Sequence, residues 1–208
     1  KNKKYSNDFW SHINYNTFNL AIHELVNNNN KNFYTIVETG CNANCGIKST
    51  SLWDKFVNYF DGEVFSVDLD QKAVDLANNL TSDKTTVTCS DSLDFLKNFY
   101  KPIDLLYLDS FNVDWNNPEP SAQHHLKEFE IIKHNLHPNS IVLIDDTPKD
   151  INWLDLERNH RKIKKLVESN VQNPVGKGTY VNKVLENHGD ELLLHQYQSL
   201  WKINSNFF

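Results

Sequence analysis

The chain has 208 residues, of which 39% are hydrophobic and 23% are charged, and its net charge at pH 7 is -6. This composition is typical of one soluble globular domain, residues 1–208. The acidic balance argues against a nucleic-acid partner, which needs clustered Lys and Arg to bind phosphates. No apolar run approaches the roughly 20 residues of a membrane span, and no secretory signal is visible.

Two further features of the composition concern the cell compartment and the origin of the chain. Cys41, Cys45 and Cys89 show neither a disulfide pattern nor the spacing of a zinc site, so we expect a reducing, cytoplasmic setting. The sequence contains no Met. We therefore expect a trimmed chain or one domain excised from a longer polypeptide.

The predicted secondary structure alternates between strand and helix. An N-terminal helical segment, residues 1–30, contains a helix over residues 9–26 and precedes the first strand. Five strands are predicted, at residues 33–37, 62–68, 85–89, 103–109 and 140–146. The helices between them are predicted at residues 49–60, 71–80, 93–99 and 121–135. This alternation predicts an α/β fold with a doubly wound, Rossmann-like, mostly parallel sheet and helices on both faces.

The end of the chain departs from this alternation. Residues 191–196 and 199–204 are two β-like runs with almost no linker, which predicts an antiparallel hairpin at one edge of the sheet. A helix over residues 179–187 precedes the hairpin. The polar stretch 152–173 is predicted to form a helix and a surface loop.

The loop after the first strand sets two glycines behind an acid, in the spacing Glu38-x-Gly40-x-x-x-x-x-Gly46. Gly40 and Gly46 allow the backbone to turn sharply and to approach a ligand closely. The spacing differs from the Gly-x-Gly-x-x-Gly of dinucleotide binders and lacks the Gly-Lys-Ser/Thr of a phosphate-binding loop. The loop therefore indicates a nucleotide-like cofactor, and its glycine spacing disfavours NAD.

Acidic or polar residues end each of the five predicted strands. They are Glu38, Asp68, Asp91 with Ser92, Asp109, and Asp145 with Asp146. A single acid at such a place is as often a helix cap as a ligand. Because ligands of open α/β sheets bind at the carboxyl ends of the strands, five acidic strand ends in succession predict a binding site.

With these residues the chain resembles the class I S-adenosylmethionine-dependent methyltransferases over nearly its whole length. That family has a seven-stranded sheet whose last two strands form a hairpin. The resemblance implies that S-adenosyl-L-methionine is the cofactor. It also implies that the loop from Glu38 through Gly40 and Gly46 to Ser49 holds the methionine part of the cofactor.

The resemblance also assigns the ribose and the adenine. It implies that Asp68 binds both ribose hydroxyls, since a carboxylate can accept two hydrogen bonds at once. Asp70, two residues further on, is an alternative for this role. Asp91 and Ser92 are implied to read the edge of the adenine.

The acids after the fourth and fifth strands resemble the metal ligands of the divalent-cation-dependent O-methyltransferases, which include catechol and macrolide-sugar enzymes. This implies that Asp109, Asp145 and Asp146 hold Mg²⁺ or Mn²⁺. Three converging carboxylates would repel one another without a cation, and oxygen ligands suit these ions. Such a cation could fix an acceptor hydroxyl and lower its pKa. The alternative is that Asp145 or Asp146 caps the turn before Pro148.

The lysine that accepts the hydroxyl proton in the catechol enzymes has no counterpart at the same position here. Those enzymes carry a lysine three residues after the first metal acid, and that position is Asn112 here. His124 and His125 are the candidates, with Asp109 as a further catalytic residue, because an imidazole titrates near neutral pH. Of the two, His125 is preferred.

Two runs resemble sugar-modifying methyltransferases found beside glycan-assembly enzymes. They are residues 118–128, which contain both histidines, and Gly176-Lys177-Gly178-Thr179-Tyr180. The second run is at least as well interpreted as a turn at the start of a helix.

The sequence therefore predicts an S-adenosylmethionine-dependent O-methyltransferase, assisted by a metal, that acts on a sugar hydroxyl of a glycan or glycoconjugate. Its expected partner is a small-molecule or glycan acceptor, and fusion to a glycosyltransferase domain would fit this interpretation. Two alternatives stay open. One is an NAD-type oxidoreductase on a similar sheet, and the other is a catalytically degenerate cofactor-binding domain, which the missing lysine permits.

Overall fold

A computed structural model describes residues 13–29, 31–41, 48–115, 117–149 and 176–207. The helices of this part are α1 (Tyr15–Asn29), α2 (Lys48–Phe60), α3 (Gln71–Leu80), α4 (Ser92–Lys97), α5 (Glu119–Ile132) and α6 (Thr179–His188). The strands are β1 (Tyr34–Thr39), β2 (Gly62–Asp68), β3 (Thr85–Cys89), β4 (Ile103–Leu108), β5 (Leu136–Ile144), β6 (Glu191–His195) and β7 (Ser199–Lys202). Predictions for residues 9–12, 42–47 and 152–173 lie outside the described residues.

The seven strands form one mixed sheet in the order β3-β2-β1-β4-β5-β7-β6. The strands β1 to β5 pair in parallel, and β7 lies antiparallel to both β5 and β6. Consecutive parallel strands need a crossover, and a helix provides it between β1, β2, β3, β4 and β5. The predicted doubly wound sheet with a C-terminal hairpin is therefore confirmed.

The core lies in two layers, one on each face of the sheet. Successive strand residues point to opposite faces, so Ile36 joins the layer covered by α1 and α2, and Val37 joins the opposite layer. Leu105 and Leu106 alternate in the same way. The strands β1 and β4 are buried along their whole length, as expected for parallel strands covered on both faces.

The predicted and observed boundaries differ most around β5. The helix α5 begins at Glu119, two residues earlier than predicted, and its last predicted turn is a 3₁₀ helix over Lys133–Asn135. The strand β5 begins at Leu136, where it pairs with Ile103, rather than at residue 140. The polar residues of its first half hid this start from a search for apolar runs. Among the described residues, no helix is both long and apolar enough to cross a bilayer.

Candidate active site

The site lies where the strand order reverses, between β1 and β4. Backbone hydrogen bonds continue past the carboxyl ends of the strands. The N–H of Gly40 donates to Val67 at 2.7 Å, that of Asp109 to Thr39 at 2.9 Å, and that of Asp145 to Leu108 at 3.1 Å. These bonds hold the residues that follow the strands in register, so their side chains meet at one edge of the sheet.

Gly40 allows the ends of β1 and β4 to approach each other. Its φ is +87°, and a Cβ at this position would lie 2.5 Å from the carbonyl oxygen of Asp109. Any other residue would have to move the backbone that carries Asp109. The predicted role of Gly40 in a close approach therefore has a geometric basis. The second glycine of the motif, Gly46, lies outside the described residues.

A cleft of about 270 Å³ opens at this edge, several times the volume of a bound water. Asp68, Asp70 and Asp91 line one part of the cleft, and Asp109 and His124 line another. Both halves of the predicted site, the cofactor residues and the first of the three predicted metal ligands, thus border one continuous space.

Asp68 is held by backbone donors at the end of β2. Its Oδ2 accepts from the N–H of Cys41 at 3.0 Å, and its Oδ1 accepts from that of Asp70 at 2.9 Å. The thiol of Cys41 also donates to Oδ2 at 3.5 Å, so Oδ1 is the oxygen of Asp68 that can still accept from a ligand. Asp70 caps α3, because its Oδ1 accepts from the N–H of Lys72. Both acids border the cleft, and Asp68 is the one held by the residue that follows Gly40.

Asp91 and Ser92 lie at the start of α4. Asp91 is the N-cap, since its Oδ1 accepts from the N–H groups of Leu93 and Asp94. The hydroxyl of Ser92 is 3.0 Å from Nε2 of His124, which ties α4 to α5. Both residues border the cleft, so the cap and a contact with a ligand are compatible.

Glu38 lies beneath the cleft rather than on its surface. Its side chain is fully buried, and its Oε2 accepts from the hydroxyls of Thr50 at 2.5 Å and Ser66 at 2.7 Å. Burial raises the pKa of Glu38, and the hydroxyls of Ser49, Thr50 and Ser66 lower it in part. Glu38 and Ser49 therefore connect the end of β1 to the start of α2 and to β2.

Asp109, Asp145 and Asp146 come together and are called the acid cluster below. One carboxylate oxygen of each lies within 4.8 Å of one oxygen of the other two. Burial and the two neighbouring carboxylates raise the pKa of Asp109 well above its ordinary value, and Lys177 lowers it only in part. Burial, followed by Asp146, also raises the pKa of Asp145. The cluster thus carries more negative charge than its surroundings neutralise.

Neutral donors hold the outer oxygens of the acid cluster. Oδ1 of Asp145 accepts from Gln198 at 2.8 Å and from Asn14 at 3.1 Å. Oδ1 of Asp146 accepts from the hydroxyl of Tyr197 at 2.6 Å. Asp146 also has a φ of +40°, which is unusual for a residue with a side chain. The cluster is therefore fixed in place and does not consist of mobile surface acids.

Lys177 also contacts the acid cluster, although no role in the site was predicted for it from the sequence. Its side chain is 1% exposed, and its Nζ lies 2.5 Å from Oδ1 of Asp109 and 3.1 Å from Oδ2 of Asp146. Burial lowers the pKa of Lys177, but the three carboxylates outweigh this and raise it above its ordinary value, so the group is an ammonium. The Gly-Lys-Gly pattern was visible in the sequence, but only the fold brings it to the acid cluster.

The preference for His125 over His124 is wrong on geometric grounds. His125 is fully buried beside Ser121, whose carbonyl lies 2.7 Å from Nδ1, and burial lowers the pKa of His125 to about 4. His125 does not border the cleft, whereas His124 does. Nε2 of His124 is 3.2 Å from the buried carboxylate of Glu128. Of the two candidates, His124 is the one that can meet an acceptor.

The arrangement does not fit the predicted divalent cation beside Lys177. The carboxylate oxygens themselves are hard ligands that suit Mg²⁺ or Mn²⁺. The ammonium of Lys177, however, already contacts one carboxylate oxygen of Asp109 and one of Asp146. A second cation at that place would be repelled by the first. The cation stays a prediction from the resemblance, and no step below depends on it.

A family model described as "Methyltransferase domain" matches residues 37–147. This segment runs from β1 to the end of β5 and includes the cleft residues and the acid cluster, but not Lys177. None of the curated proteins matches the sequence.

Several solved structures share the fold. MycE, a methyltransferase from the mycinamycin biosynthetic pathway solved in complex with Mg and SAH, matches with a TM-score of 0.60 and 14% identity over 95% of this chain. The N-methyltransferase NodS from Bradyrhizobium japonicum WM9 matches with a TM-score of 0.57 and 11% identity, over 95% of this chain and 100% of NodS. The chain spans about half of MycE, 51% of its length. At these identities the likeness concerns the fold.

Proposed function

The chain belongs to the methyltransferase-domain family and is an S-adenosylmethionine-dependent methyltransferase, and we propose that it methylates a sugar hydroxyl of a glycan or glycoconjugate. The observation that carries the proposal is the close contact between Gly40 and Asp109. It joins the cofactor side of the cleft, around Asp68, to the acid cluster. A donor held on one side and an acceptor held on the other would therefore be neighbours, and positioning of this kind is a large part of catalysis.

On the cofactor side we assign the ribose hydroxyls to Asp68 and the adenine to Asp91 and Ser92. When bound, S-adenosylmethionine supplies an electrophilic methyl group. The protein would contribute fixed hydrogen-bond acceptors, because the backbone N–H groups of Cys41 and Asp70 already orient the carboxylate of Asp68. Such preorganisation costs no rearrangement when the ligand binds.

On the acceptor side we assign the hydroxyl to the edge of the acid cluster near Asp109. A carboxylate there can accept a hydrogen bond from a hydroxyl and orient its oxygen. Phe111, half exposed at the rim of the cleft, packs on the ring of His124 at 5.2 Å between centroids. An exposed aromatic ring beside hydroxyl acceptors suits the apolar face and polar edge of a sugar. MycE, which has this fold, has also been solved with Mg, SAH and mycinamycin VI.

We assign the proton of the acceptor hydroxyl to His124. Its imidazole borders the cleft and contacts Glu128, a carboxylate that can stabilise the imidazolium after proton transfer. The expected result of His124→Gln is a fall in transfer rate of roughly tenfold or more with little change in cofactor affinity. An unchanged rate would remove His124 from the mechanism.

The proposal is tested by binding and transfer in one preparation. Calorimetry should detect binding of S-adenosylhomocysteine and none of NAD. Transfer of labelled methyl from S-adenosylmethionine is then followed on a panel of glycosides, with a catechol and a primary amine as competing acceptor classes. Labelled methyl ethers of sugars are expected. Methylation of the amine or the catechol alone would contradict the sugar assignment, and absence of S-adenosylhomocysteine binding would contradict the function itself.

A further inference from the structure

We propose that the ammonium of Lys177 is a built-in cation of the acid cluster and takes the place of the divalent metal ion that three such carboxylates would otherwise bind. It follows that the enzyme works without added metal. The part of this claim that concerns methyl transfer depends on the proposed function, whereas the part that concerns metal binding does not.

The Nζ of Lys177 makes two hydrogen bonds to Asp109 and one further ion-pair contact with Asp146. An ammonium has three protons, and three acceptors surround Nζ. They are Oδ1 of Asp109 at 2.5 Å, the carbonyl oxygen of Asp109 at 3.2 Å and Oδ2 of Asp146 at 3.1 Å. The first and third are carboxylate oxygens of the acid cluster. The ammonium thus lies against two of the three carboxylates that would coordinate a cation.

The backbone around Lys177 is built for this contact. Gly176 has a φ of +114°, and a Cβ there would lie 1.9 Å from the carbonyl oxygen of Asp146. At Gly178 a Cβ would lie 2.7 Å from the side chain of Thr147. The two glycines therefore let the segment pack directly on the residues that follow β5. This packing explains the Gly-Lys-Gly pattern without a direct contact to substrate.

Two backbone hydrogen bonds fix the same segment. The N–H of Lys177 donates to the carbonyl of Asp146 at 3.1 Å, and the N–H of Gly178 donates to the hydroxyl of Thr147 at 2.8 Å. With 1% of its side chain exposed, Lys177 is enclosed by the protein while it makes these contacts. It is therefore a poor candidate for displacement by a metal ion.

The experiment measures metal binding directly, on the whole chain after treatment with a chelator. Free Mn²⁺ is followed by electron paramagnetic resonance during titration of the wild type, Lys177→Ala and Lys177→Arg. We expect weak or undetectable binding to the wild type and to Lys177→Arg. Lys177→Ala should bind Mn²⁺ at least about 100-fold more tightly, because three carboxylates lose their neutralising charge. The double variant Lys177→Ala with Asp109→Asn should lose that site.

Either of two results overturns the proposal. One is tight Mn²⁺ binding by the wild type that Asp109→Asn abolishes, and the other is no gain of binding in a folded Lys177→Ala. Circular dichroism establishes whether Lys177→Ala is folded. If Lys177→Ala is unfolded, the titration of the wild type decides. Tight Mn²⁺ binding by the wild type contradicts the proposal. No tight binding, together with methyl transfer that a chelator leaves unchanged, supports the proposal. Failure to bind S-adenosylhomocysteine would refute the proposed function and leave the metal result standing.

Discussion

The strand β4 has a lysine–aspartate pair at each end, and the two pairs differ in which charge is in excess. At the amino end, Asp104 accepts hydrogen bonds from Lys31, from Nε2 of His137 at 3.1 Å and from the N–H of Thr35 at 2.9 Å. Burial raises the pKa of Asp104, but the bonds from His137, Lys31 and Thr35 outweigh it, and the pKa falls below its ordinary value. One carboxylate is satisfied there by several donors.

At the carboxyl end of β4, several carboxylates share one cation. Among the residues that the structure describes, Lys177 is the one cation within ion-pair distance of Asp109 and Asp146. Burial raises the pKa of Asp109 well above its ordinary value because Asp145 and Asp146 reinforce it and Lys177 offsets only part of it. Packing three partly buried acids beside one ammonium costs stability. Under the proposed function, we expect the first pair to serve folding and the second to serve chemistry.

The largest effect is expected when the carboxyl-end pair is broken. Asp109→Asn should reduce the rate of methyl transfer by about 100-fold, as removal of one preorganised polar group from an active site does. The free energy of unfolding should change by less than about 1 kcal/mol, since the variant also relieves repulsion between carboxylates. Steady-state transfer and urea unfolding measure the two quantities. A large loss of stability with an unchanged rate would assign Asp109 to folding.

The matching change at the amino end of β4 should lower stability and leave the rate of methyl transfer unchanged. Asp104→Asn should lower the free energy of unfolding by about 2 kcal/mol, mainly through the hydrogen bonds to Thr35 and His137. The ion pair with Lys31 adds little, because that lysine side chain is 37% exposed and its charge is screened by solvent. Transfer by the folded variant should equal that of the wild type. A loss of transfer without a loss of stability would contradict this division of roles.

Asp68, a further acid at the carboxyl edge of the sheet, should bind the cofactor, whereas Asp109 should contact the acceptor. Asp68→Asn should weaken S-adenosylhomocysteine binding by about tenfold, the effect of one charged hydrogen bond. Asp70→Asn is the matched control, since Asn caps a helix about as well as Asp. Calorimetry on the three proteins gives the answer. Equal affinities for Asp68→Asn and the wild type would mean that the ribose lies elsewhere.

The smallest effect is a difference in pH dependence between the two pairs. Asp104 has a lowered pKa in the folded state, so its contribution to stability is present above the ordinary carboxyl pKa near 4 and is lost as the pH falls below it. Asp109 has a raised pKa, so it lowers stability progressively as the pH rises above that value. We therefore compare the free energy of unfolding of Asp104→Asn and of Asp109→Asn with that of the wild type at several pH values. The two differences should change with pH in opposite directions. If both differences changed with pH in the same direction, negative charge would not be in excess at Asp109 alone, and this interpretation would be contradicted.

Much of the fold could be predicted because local signals agree with the tertiary structure. The bounds of α3 and β3 are those predicted, since Asp70 caps the helix and four of the five strand residues are β-branched. The acids at the strand ends could be found because strand ends of a parallel sheet share one edge. The start of β5 was missed because its first residues are polar and gain their pairing from β4 and from the end of the chain.

Two features of the site were hard to predict from the sequence, the choice between the two histidines and the contact of Lys177 with the acid cluster. Adjacent helical residues point about 100° apart, so the two histidines face different surroundings. His125 lies on the buried face with Ser121, Glu128 and Ile132, and this helical spacing could have identified it as a core residue. Lys177 is 68 positions from Asp109 in sequence. Its contact with the acid cluster follows from tertiary packing, which no spacing within either segment reveals.

A crystal structure with S-adenosylhomocysteine would show whether the cofactor binds at Asp68 and faces the acid cluster. We expect the ribose hydroxyls to bind the carboxylate of Asp68 and the sulfur atom to face Asp109 and Lys177, on the other side of Gly40. A ribose bound away from Asp68, or a sulfur atom directed away from the acid cluster, would contradict this expectation.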